Sequence, residues 1–180
     1  MTHTKTNIYI GAALIVFAAV MKVVTYPLSF NPIIAISLFS GVVISDKKLA
    51  FLMPLLAMFA SDILLEVLQI APGFYGLSQL GNYASLLLVT VLGFGMKKIR
   101  FVHVAGFSIA STLMFFFLSN SNVFFFNAVA YERSFNGWMT CLAAGIPFIK
   151  NGLLTDLFFS GVLFGSYSFI TKSLAKKALA

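Results

Sequence analysis

Charge is scarce in this chain. Asp, Glu, Lys and Arg make up 9% of its 180 residues, against about 25% in an ordinary soluble domain. A single cysteine, Cys141, excludes an intrachain disulfide and any cysteine-based metal cluster. The two histidines are His3, in the N-terminal tail, and His103, near one end of an apolar run. Neither comes close in depth to Asp62 or Cys141, so the chain offers no histidine–carboxylate metal site and no nucleophile–base pair. No phosphate-binding glycine loop is present, so the chain cannot hydrolyse ATP by itself. An enzyme, a metal site and a bound cofactor are therefore not expected. Low-complexity tracts and lipidation motifs are also missing. The first apolar run is not expected to be a signal peptide, because no small-residue cleavage site follows it and Lys22 interrupts its end.

What fills the sequence is apolar surface. Hydrophobic residues make up 60%, including 21 Phe, and the mean hydropathy is +0.99. A soluble domain of 19.6 kDa has too much surface for its volume to hide that many apolar groups. The chain reads as one integral membrane domain. Its apolar runs lack period-2 alternation, which excludes a transmembrane β-barrel and leaves an all-α fold. The net charge of +7 does not signal nucleic acid. Its basic residues fall in small groups between apolar runs, as topology signals do, and no aromatic-interleaved basic stripe exists.

A hydrocarbon core of about 30 Å needs roughly 20 helical residues. Six spans are predicted, over about 8–25, 32–44, 49–70, 82–96, 101–118 and 151–171. Asn31-Pro32 reads as a helix N-terminus for the second. The second and fourth are short, so tilt or local thinning is expected. The apolar segment 138–149 is predicted as a short interfacial helix before the last span, because Pro147 and Lys150-Asn151 interrupt it. Six spans place both termini with Lys47-Lys48, Lys97-Lys98-Arg100 and Lys172 on one side, which is cytoplasmic by the positive-inside rule.

A charge inside a bilayer is a functional hypothesis by default. Asp62, Glu66 and Gln69 follow at i, i+4 and i+7, which predicts one helix face. Asp62 is the deepest charge, roughly 12 Å from the outer end at 1.5 Å per residue. Lys150, Asn151 and Asp156 fall in the outer half of the last span, and Lys22 lies at the outer end of the first. Asn31, Gln79, Asn82, Asn122 and Asn127 fall at the outer interface, whereas the inner half is nearly free of polar groups beyond hydroxyls. This asymmetry predicts a polar cavity open to the outside and closed below. The opposing expectation is that Asp62 or Asp156 pairs with Lys22 or Lys150 only to fix helix packing. Tyr83, Tyr131, Phe135 and Trp138 sit at the outer rim, where an interfacial aromatic belt accounts for them.

Several stretches carry a resemblance. Asn31-Pro32, Ala35, Leu38, Phe39 and Gly41, then Lys47-Lys48, Pro54-Leu55, Ala57 and Ser61-Asp62, form the first. Ala144 to Phe148, Asn151 and Asp156-Leu157 form the second. Together they resemble an uncharacterised family of small bacterial membrane proteins over about residues 10–170. That family is more distantly similar to the substrate-binding S components of energy-coupling-factor transporters. The resemblance implies six helices with cytoplasmic termini in a bacterial inner membrane and an outward-facing pocket. It also implies a separate energising transmembrane subunit with two ATPases. S components commonly dock through alanines four apart on the first helix. Here Gly11/Ala18 and Ala12/Ala19 are seven apart, and no Ala-x-x-x-Ala occurs.

The expected function is a membrane subunit that binds a small vitamin-like solute for uptake. Its expected lining is Asp62, Glu66, Gln69, Asn151, Asp156, Asn31 and Asn82, with Lys22 or Lys150 as counter-charge and the bilayer as its other partner. The alternatives are a non-transporting membrane scaffold and a solitary ion-coupled transporter.

Overall fold

A computed structural model describes residues 2–26, 30–126 and 131–179, with side chains over 13–26, 30–126 and 131–173. Asn127 lies outside the described residues. The helices in chain order are α1 (Thr2–Val24), α2 (Ile33–Val43), α3 (Lys47–Val67), α4 (Leu77–Phe94), α5 (Phe101–Phe126) and α6 (Phe135–Leu179). The fold is all-α, as expected. Four helices, α3 to α6, are long and apolar enough to cross a membrane, while the apolar stretches Ala13–Val24 and Ile33–Val43 are shorter.

The helix ends have local causes. Asp46 starts α3: its Oδ1 accepts the backbone N–H groups of Lys48 at 2.8 Å and Leu49 at 3.2 Å. Asn31 Oδ1 accepts the N–H of Ile33 at 3.3 Å, and the helix begins there, just after Pro32. α4 begins at Leu77, ahead of the predicted residue 82, because Gly76 turns the chain at φ 76, a conformation open to glycine without steric cost. At the end of α3 the N–H of Gln69 reaches Glu66 O at 3.1 Å and that of Ile70 reaches Leu65 O at 3.1 Å. Gln69 itself is left-handed at φ 54. That two-bond cap closes the helix about one turn after Glu66 and two after Asp62.

The predicted break before the last span does not occur. α6 is continuous over 45 residues with Pro147 inside it. Proline removes one hydrogen bond from a helix, but α6 is held against α5 on both sides of that gap. Trp138 Nε1 donates to Ser121 Oγ at 3.1 Å, and Cys141 Sγ to Asn120 O at 3.3 Å. Beyond Pro147, Thr112 and Asp156 join the same pair of helices. Lys150 and Asn151 are exposed on the helix surface and do not interrupt it. At 1.5 Å per residue α6 is about 68 Å long, against about 40–45 Å for a bilayer with its headgroups.

The short helix is the centre of the bundle. Ile33, Ala35, Ile36, Ser37, Leu38, Phe39, Ser40 and Gly41 of α2 are all buried, and α2 contacts each of the other five helices. A helix that is apolar all round is a helix surrounded by protein. Leu38 and Phe39 share one core with Leu14 and Ala18 of α1, Leu86 and Val89 of α4 and Phe164 of α6. Ala18 and Ala19 are buried, so these small residues pack inward. Their predicted companions Gly11 and Ala12 have side chains outside the described set. Successive helices alternate in direction, which collects Lys22, Asn31, Asp62, Gln79 and Asn122 at one end.

Candidate functional site

Two polar clusters are built on different helices, one on α1, α3 and α4 and the other on α5 and α6. The first surrounds Asp62, which is 1% exposed on α3. Lys22 Nζ of α1 meets Oδ1 at 2.5 Å. On Oδ2, Gln79 Nε2 donates at 2.8 Å and the Tyr83 hydroxyl at 2.7 Å, both from α4. One carboxylate thus joins three helices with a counter-charge and two donors, which is what a buried charge requires. Gly73 seals this group from the α3–α4 loop. A Cβ there would lie 2.0 Å from the backbone oxygen of Asp62. Gly73 O accepts from Gln79 Nε2 at 3.1 Å, and Glu66 Oε2 accepts the N–H of Gly73 at 2.7 Å.

Gln69 does not share the face of Asp62 and Glu66. The helix has ended by then, and the side chain is exposed. Asn82 lies one turn beyond Gln79 and donates to the Tyr75 hydroxyl at 3.0 Å. Its Oδ1 faces Asn122, whose amide also donates to Ser78 O. Gly81 makes room for that contact, since a Cβ would fall 2.1 Å from Asn122 Oδ1. Lys150 is exposed on α6, and among the described residues the ion pair is Lys22–Asp62.

The second cluster lies between α5 and α6. Asp156 is 2% exposed, and its Oδ2 is hydrogen-bonded to Thr112 Oγ1 at 2.7 Å. One turn along the same pair, Ser160 Oγ donates to Ser108 Oγ at 3.2 Å. Ser111 Oγ and Thr155 Oγ1, next to Thr112 and Asp156 in sequence, are buried without a hydrogen-bond partner among the described residues. Thr112 also lines a cavity of about 320 Å³ bounded by the start of α2, α5 and α6. Asn31, Asn120, Asn151 and Ser119 supply its polar lining, and Phe115, Phe116 and Phe148 are among its apolar walls. Gly145 belongs to that wall because a Cβ would lie 2.5 Å from Asn120 Oδ1. A smaller hollow of about 90 Å³ brings Asn31 beside Lys22, Thr25 and Phe30.

The structure therefore sorts the predicted site residues into separate places. Asn31 and Asn151 meet in the larger cavity, with Asp156 behind Thr112. Lys22 pairs with Asp62. Asp62 and Asp156 share no partner: Asp62 is bonded to Lys22, Gln79 and Tyr83 and Asp156 to Thr112, and among the described residues no Cα of α3 comes within 8 Å of one in α6. Gln79 and Tyr83 are the partners that the sequence placed at the rim. Tyr83 lies inside the predicted fourth span, whereas Gln79 depends on the early start of α4, signalled by Gly76 three residues before it. Thr112, one of three hydroxyls with Ser108 and Ser111 in an apolar run, carried no signal of its own.

Buried charge and a polar cavity, set among helices long and apolar enough to cross a membrane, define a multi-pass helical membrane protein. The chain belongs to the family of unknown function DUF6580, which matches it over residues 2–178. No curated protein matches the chain, and no solved structure does.

Proposed function

We propose that this protein is a solute-binding membrane subunit, similar in outline to the S components of energy-coupling-factor transporters. It takes a small vitamin-like molecule from outside for uptake. In this proposal all six helices cross or re-enter the bilayer, both termini are cytoplasmic and the polar end faces outward. A separate energising transmembrane subunit with ATPases is its partner. One observation carries the reading: the 320 Å³ cavity gathers Asn31, Asn120 and Asn151 with aromatic walls. Small-molecule sites commonly span about 300–1,000 Å³ and combine apolar walls with a few placed polar groups. Amides and flat rings suit a planar, hydrogen-bonding solute. Asp62 and its partners hold the neighbouring helices rather than line this cavity.

The test is to purify the protein in detergent and identify retained small molecules by mass spectrometry. One solute should be retained at near-stoichiometric amounts. Asn31→Ala and Asn151→Ala should each reduce retention about 3- to 10-fold, as loss of a neutral hydrogen bond of about 0.5–1.5 kcal/mol implies. Retention of lipid alone would sink the proposal. It would favour the scaffold alternative, which draws on the full satisfaction of Asp62 by its neighbours.

A further inference from the structure

In the α5–α6 cluster one hydroxyl stands between two oxygen acceptors. Thr112 Oγ1 lies 3.0 Å from Ser108 O and 2.7 Å from Asp156 Oδ2. A hydroxyl has one hydrogen to donate. One hydrogen cannot serve two acceptors fully, and a proton on Asp156 lets both contacts be hydrogen bonds at once. The acid O–H then donates to Thr112 Oγ1, and the Thr112 hydroxyl donates to the Ser108 carbonyl. Charge leads to the same place. Asp156 is 2% exposed and outside the Lys22–Asp62 ion pair. A carboxylate buried without a counter-charge carries a heavy desolvation cost, which a proton removes.

Among the described residues, the groups on the surrounding elements do not supply that charge. α2 has no titratable side chain. On α5 the titratable group is His103, which is exposed and nine positions from Thr112, about 13 Å along the helix. On α6 itself Lys150 is exposed and six positions away, about 9 Å. Cys141, Tyr167 and Lys172 are farther still along that helix. Lys22 of α1, which reaches α6 through the Phe17–Phe159 ring contact, is committed to Asp62.

We propose that Asp156 is a proton-binding site inside the bundle, held by Thr112 and read by the cavity through it. Removal of the proton turns the Thr112 hydroxyl from the Ser108 carbonyl to the Asp156 carboxylate. Thr112 is also a lining residue of the cavity, so the change falls at its wall. A solute that prefers one orientation changes proton affinity, and the proton changes solute affinity by the same factor. This coupling rests on the cavity being a solute site; the proton site does not.

Infrared spectroscopy of the whole chain in an ester-free detergent tests the site without any solute. The chain has five acidic side chains. Asp46, Glu66 and Glu132 are exposed, and Asp62 is paired with Lys22. A carboxylic-acid C=O stretch at neutral pH is expected in the wild type, unchanged in Asp62→Asn and lost in Asp156→Asn. Thr112→Val keeps the acid but removes its acceptor, so the band should move to higher frequency; this arm holds even if Asp156→Asn does not fold. Absence of the band overturns the proposal. A band that grows only on withdrawal of sodium also overturns it, since a metal cation would then be the ligand. Neither result bears on whether a solute is retained.

Discussion

Gly41 and Gly93 face each other where α2 crosses α4, and neither has room for a side chain. A Cβ on Gly41 would lie 2.2 Å from Thr90 O, and one on Gly93 would lie 2.7 Å from Leu38 O. Each would fall 3.1 Å from the Cα of the other. The obstacles are backbone atoms, which cannot rotate aside. Small residues at a helix crossing let backbones approach closely in a membrane, and here they bring the central helix against its neighbour.

Gly41→Ala and Gly93→Ala should each destabilise the protein by about 1–3 kcal/mol, the usual range for overpacking. Unfolding in mixed detergent would report it. Gly161→Ala is the control: a Cβ there meets nothing within 4 Å, and its stability should match the wild type.

Lys22→Met should be more damaging, at about 3–5 kcal/mol, because it strands Asp62 without its counter-charge. Asp62→Asn keeps an acceptor for Gln79 and Tyr83 while removing the charge. The double variant Lys22→Met/Asp62→Asn should therefore be more stable than Lys22→Met alone. If adding Asp62→Asn brings no recovery, the pair is not the source of the loss.

Gly73→Ala would push the α3–α4 loop off the Asp62 carbonyl, breaking the bonds from Gly73 to Glu66 and Gln79 together. Glu66→Ala breaks only the first. Thermal melting should show a larger loss for Gly73→Ala than for Glu66→Ala, which is expected to cost about 1 kcal/mol.

Topology is open to a direct measurement. In a Cys141→Ser background, Lys47→Cys and Arg133→Cys should react with membrane-impermeant thiol reagents from opposite sides, with 47 inside. Labelling of both from outside would sink the six-crossing arrangement.

Much of this architecture was legible because the bilayer makes hydrophobic length a strong signal. The helices and their order follow the apolar runs; depth offered Lys22 or Lys150 as partner for Asp62 or Asp156, and the structure pairs Lys22 with Asp62. Where the inference went astray, local backbone chemistry was decisive. The cap at Gln69 took that side chain off the face of Asp62. Gly76 drew Gln79 into α4, and contacts along α5 carried α6 past Pro147. Depth along a helix says nothing about azimuth, and azimuth separates Asp62 from Asp156.

The size of α2 also constrains how the protein is made. At 1.5 Å per residue its 11 residues reach about 16 Å, roughly half a hydrocarbon core. Such a segment has no stable place in lipid by itself, since the polar backbone at its ends needs protein around it. During biosynthesis α2 leaves the ribosome before α4, α5 and α6, the helices that supply most of its surroundings. The surroundings that bury α2 are therefore complete only after those later helices have been made. Ser37→Cys in a chain truncated after α3 should react readily with thiol reagents, and the same cysteine in the full chain should be shielded.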